Sequence, residues 1–90
     1  MSVYILDANG KTRRGVSGRD ADAYLARMKA GEARHLNTIG ITLTKISQRT
    51  YEFAYQNMPY HPGRISRRDA RSIVLDYLRR ENFLQHQEEN

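Results

Sequence analysis

Two stretches of strict alternation constrain this chain more than any other feature. In NTIGITLTKI (residues 37–46) Ile39, Ile41 and Leu43 alternate with Gly40, Thr42 and Thr44. In TYEFAYQ (residues 50–56) Tyr51, Phe53 and Tyr55 alternate with Glu52, Ala54 and Gln56. A period of two is that of a half-buried strand, because successive side chains leave opposite faces of a sheet. Only Ser47, Gln48 and Arg49 separate the apolar runs in a short polar turn, so the two strands are expected to pair antiparallel. Their shared apolar face then needs a cover.

Two segments of helical period can supply it. Ala21, Tyr24, Leu25 and Met28 recur at i, i+3, i+4 and i+7, with Ser17 and Asp20 spaced as a capping box and Gly31 as a stop. Ala70, Ile73, Val74, Tyr77, Leu78 and Leu84 form a second stripe, broken by Glu81 and preceded by Ser66 and Asp69 at the same capping spacing. This second helix is expected to run to about Leu84, with residues 85–90 a polar tail. Between strand and helix, NMPYHPG is expected to be a loop, because Pro59 and Pro62 each remove a backbone donor and disfavour helix before them.

At the N-terminus SVYILD reads as a strand, and Asn9-Gly10 suits a type I′ turn into a return strand, KTRRGV. A two-residue turn there sets Val3 opposite Val16 and Ile5 opposite Arg14, making residues 11–16 a polar edge. The expected fold is thus one α+β domain over residues 1–84, in the order β(β)αββα. It has a small antiparallel sheet of three to four strands with both helices packed on one face. Its expected core is Tyr24, Leu25, Met28, Ile39, Ile41, Leu43, Tyr51, Phe53, Ile73, Val74, Tyr77 and Leu78. The helix starts VSGRDA (16–21) and ISRRDA (65–70) share Ser, Arg, Asp and Ala at equal offsets. A duplicated ββα unit and convergence on a good helix start both account for the match.

What the second start adds is arginine. Between Arg64 and Arg80 stand six arginines against two aspartates, most of the net charge of +5 of the whole chain. A helix N-terminus already carries partial positive charge, so capping gains nothing from cations there. Guanidinium forks and free N–H groups both suit phosphate or carboxylate. Helical spacing places Arg68, Arg71, Leu75 and Arg79 on one stripe away from the core. The candidate anion- or partner-binding residues are therefore Arg64, Arg67, Arg68, Arg71 and Arg79, with Lys11, Arg13 and Arg14 as a second contact. The plainer alternative is a solvated helix face that aids solubility.

Other chemistries find little support. The absence of cysteine excludes disulfides and thiolate metal sites, and His35, His61 and His86 stand far apart, so no metal or other cofactor is expected. NGKT (9–12) has the tail of a phosphate-binding P-loop without its glycine arc. No run of residues is long and apolar enough to span a bilayer and no leader pattern opens the chain, so a cytoplasmic protein without a membrane partner is expected. A domain of 90 residues leaves little room for a substrate pocket, and a non-enzyme is expected.

The order strand, helix, strand, strand, helix is most of that in RNA-recognition-motif domains. VYILDA (3–8) and RTYEFAYQ (49–56) resemble that family's first- and third-strand motifs. The resemblance implies Tyr4, Tyr51 and Phe53 stacking on bases from an exposed sheet face. Yet it turns Glu52 into the core, puts Thr50 where the motif has glycine, and lacks a strand after the second helix. The aromatics are accordingly assigned to the core. The expected function is binding: a small basic protein whose arginine-rich second helix engages nucleic acid, a nucleic-acid-binding complex or an acidic protein surface. The alternative is a phage- or plasmid-type inhibitor or adaptor, anti-defence or anti-CRISPR-like, that docks on a larger protein complex.

Overall fold

The computed structural model describes residues 4–6 and 12–88, with side chains for residues 15–84. In chain order the elements are β1 (Tyr4–Leu6), β2 (Thr12–Arg14), α1 (Gly18–Arg27), β3 (Ala33–Leu36), β4 (Ile41–Lys45), β5 (Thr50–Tyr55), β6 (Gly63–Ser66) and α2 (Arg67–Glu88). Strands β3-β4-β5-β6 form one antiparallel meander in that order, while β1 and β2 make a separate two-stranded sheet. The architecture is α+β, as the alternation and the two helical stripes require.

The register puts Leu36, Ile41, Leu43, Lys45, Tyr51, Phe53 and Ile65 on one face of the meander. Against it pack Ala21, Leu25 and Met28 from the α1 segment and Ala70 and Val74 from α2, all buried. The other face is polar, lined by His35, Thr42, Thr44, Glu52 and Arg64. The parity that buries Tyr51 thus keeps Glu52 off the helices, as the aromatic assignment demands.

The structure corrects several expectations. Two strands of the meander, β3 and β6, were hidden in sequence. In β3 the core-facing positions are Arg34 and Leu36, and Arg34 serves as an apolar residue would: its guanidinium lies 5.6 Å from the Tyr24 ring centre while it pairs with Glu32. In β6 Ile65 is the only apolar core-facing side chain, because Gly63 faces Phe53 so closely that a Cβ there would sit 3.3 Å from the ring. The alternating run 37–46 begins as a 3-10 turn over Asn37–Ile39, and Gly40, at φ 68°, makes the left-handed bend from which β4 starts.

At the N-terminus Ile5 pairs with Arg13 rather than Arg14, one residue away from the register that a turn centred on Asn9 and Gly10 gives. The turn itself, Lys11 and the Val3–Val16 pair lie outside the described residues. α1 ends at Arg27, a turn before Gly31, and α2 continues through 85–88 where a polar tail was expected. Leu75 packs against the core instead of joining the outer arginine stripe. Tyr55 and Leu84 are exposed.

Candidate anion-binding surface

α2 begins directly at the end of β6, and Ser66 caps it by accepting the Asp69 N–H at 3.3 Å. The arginines clustered there divide into held and free. Arg71 Nε donates to Asp22 Oδ1 of α1 at 2.9 Å, and Arg67 approaches the same oxygen at 3.7 Å. The Arg71 guanidinium lies over Gly18, where a Cβ would come within 2.0 Å of it. Arg71 therefore ties the two helices together rather than lining an outer stripe. Arg64, opposite Glu52 in the sheet, comes within 3.6 Å of that carboxylate. Arg80 is held by Asp76 one turn earlier at 3.1 Å.

Arg68 and Arg79 are exposed and have no carboxylate partner among the described residues. They share one face of α2, about three turns and ~16 Å apart. Arg13 and Arg14 belong to β2, in the separate two-stranded sheet, and Lys11 lies outside the described residues. Of the candidates whose side chains are described, Arg64, Arg67 and Arg71 are thus drawn to carboxylates and Arg68 and Arg79 are not.

A different grouping emerges at the start of α2. The Arg67 N–H donates to the Arg49 carbonyl at 3.1 Å, joining the β4–β5 turn to the helix start. From the same end of the sheet, buried Lys45 sends Nζ to the carbonyls of Leu25 and Met28 at 2.9 and 3.0 Å. An ammonium at a helix C-terminus meets the negative end of the peptide dipoles, which explains how a lysine is accommodated in a small core. This end of the molecule therefore gathers Lys45, Arg49, Arg67 and Arg68, from segments far apart in sequence, at a helix N-terminus whose Arg67 and Asp69 amides are already bonded within the protein. Arg27 and Lys29, at the end of α1, are also exposed. The sequence reading missed Lys45 and Arg49. For Lys45 a signal existed, since it continues the buried parity of Ile41 and Leu43. For Arg49, in a polar turn, there was none.

The remaining polar chemistry is local. His35 Nδ1 lies 3.1 Å from Thr42 Oγ1, and His61 stacks edge-on with Tyr60 at 4.7 Å. Among the described residues no three His, Asp or Glu side chains gather as a metal would need, and no helix is long and apolar enough to cross a membrane. Comparison with protein-family models, curated proteins and solved structures returns no match to this chain.

Proposed function

We propose that this protein is a non-catalytic binding module whose basic end, around Arg49, Arg67 and Arg68, engages the phosphate backbone of nucleic acid. The observation that carries the reading is the convergence of cations from the β4–β5 turn, the sheet end and the start of α2, of which Arg68 and Arg49 have no acidic partner among the described residues. Contacts of this kind neutralise phosphates without reading bases, so affinity falls steeply with salt and varies little with sequence. Fluorescence anisotropy of labelled DNA and RNA at two salt concentrations tests it. Arg49→Ala with Arg68→Ala is expected to weaken binding and to reduce the slope of log K against log salt by about 2. Both side chains are exposed, so the fold tolerates their loss. Unchanged affinity and slope in the double variant overturns the reading.

A second reading, docking on an acidic protein surface as an inhibitor or adaptor, draws on the far end of α2. There Phe83 and Leu84 are exposed at 58% and 41% beside Arg79 and Arg80. A stoichiometric protein partner that survives nuclease treatment and is lost in Phe83→Ser favours this reading over the first.

A further inference from the structure

Among the described residues Tyr51 is the largest fully buried side chain, 1% exposed, yet no hydrogen bond from them reaches its phenol oxygen. A buried hydroxyl without a partner is rare and calls for a ligand or an ordered water. Tyr51 lines a pocket of about 300 Å³ with Lys45, Gln48 and Arg67, walled on one side by Leu25 and Ala26. Burial raises the Tyr51 pKa and the nearby charge of Arg67 pulls it back, so the phenol is a neutral donor within the field of that guanidinium.

The polar groups of this pocket are nearly all donors. Lys45 directs two of its three ammonium protons to the end of α1, leaving one. Arg67 touches Asp22 only at 3.7 Å, which leaves its fork largely uncommitted. Gln48 adds an amide, and no carboxylate lines the cavity. The C-terminal carbonyls of α1 would repel an anion, but Lys45 already neutralises them.

We infer that this pocket binds a phosphate group, with the Tyr51 hydroxyl, the Lys45 ammonium, the Gln48 amide and the Arg67 guanidinium donating to its oxygens. The group is supplied either as free phosphate or as the terminal phosphate of a nucleic-acid strand; only the second source rests on the nucleic-acid reading.

The test is titration of the full chain with inorganic phosphate, followed by NMR and referenced to sodium chloride at equal ionic strength. Saturable shifts confined to the signals of Gln48, Tyr51 and Arg67 are expected. Tyr51→Phe and Gln48→Ala are each expected to weaken the affinity about tenfold. Tyr51→Phe should leave the phosphate-free melting temperature unchanged or higher, because it removes an unpartnered hydroxyl, and exposed Gln48 gives a second variant free of folding effects. In a parallel arm, tighter binding of a 5′-phosphorylated oligonucleotide than of its 5′-hydroxyl counterpart, a preference that Tyr51→Phe reduces about tenfold, identifies a strand end as the source. Equal binding of the two oligonucleotides alongside saturable inorganic phosphate identifies free phosphate. Shifts no different from those in chloride, or affinities indifferent to both substitutions, overturn the site. Because Arg49 and Arg68 lie outside the pocket, their effect on oligonucleotide binding separates failure of this site from failure of the proposed function.

Discussion

The two helix starts carry nearly the same residues and do opposite things. At the first, Ser17 is 4% exposed and its N–H donates to the Asp20 carboxylate at 2.8 Å, while Gly18 makes room for an arginine from the other helix. At the second, Ser66 is exposed and Arg67 and Arg68 follow where Gly18 and Arg19 stand in the first. The equivalent positions are more than a formal match: Ala21 and Ala70 are both fully buried, as are Leu25 and Val74, and Asp22 and Arg71 pair with each other. The comparison teaches that capping chemistry fixes where a helix begins, while the residues around the cap decide whether that end is closed by packing or left open to solvent.

The strongest way to break the closed side is at its far end. Lys45→Met removes two charge-assisted bonds to buried carbonyls and is expected to cost about 2 kcal/mol, read by urea unfolding. The caps themselves sharpen the comparison. Ser17→Ala is expected to cost about 1 kcal/mol or more, since no water replaces the buried group, and Ser66→Ala about 0.5 kcal/mol. Equal losses would show that the two starts are energetically alike. Asp22→Asn probes the bridge between them. An ion pair with both partners nearly half exposed contributes under about 1 kcal/mol. The same change releases Arg67 and Arg71, so nucleic-acid affinity is expected to rise and its salt slope to steepen by about 1.

The smallest effect is at low pH. The Lys29 N–H, with help from Arg34, holds the Glu32 carboxyl below its ordinary value. A lowered pKa stabilises the fold above the unfolded value and loses that contribution as pH falls through the folded one. A shallow decline in stability below about pH 4 is expected, with the Glu32 carboxyl signal titrating below ordinary glutamates by NMR.

Much of the fold was legible because its inner elements follow one period each. Leu43 and Tyr51, Leu25 and Val74 sit where alternation or helical spacing puts them. The hidden strands are those where an element's core contact is made by an atypical residue: Arg34 covers Tyr24 with its guanidinium, and Gly63 yields its space to Phe53. The arginine stripe was half legible. Periodicity can say that Arg68 faces away from the core, but not that Asp22 of another helix waits beside Arg71, because that contact spans 49 residues. Nor does any local pattern reveal that Arg49 and Arg67 become neighbours.

The meander has a consequence for how the molecule assembles. Every strand in it pairs only with the strand next in the chain. Its hairpins therefore close short loops and can zip up in succession, the arrangement associated with fast folding. The docking of α1, which precedes the sheet, onto α2, which follows it, joins the most distant of these parts, with Arg71 and Asp22 paired across 49 residues. Substitutions in the α1–α2 seam, Asp22 among them, are accordingly expected to speed unfolding while leaving the refolding rate almost untouched, so that the seam acts as a latch thrown after the sheet is built.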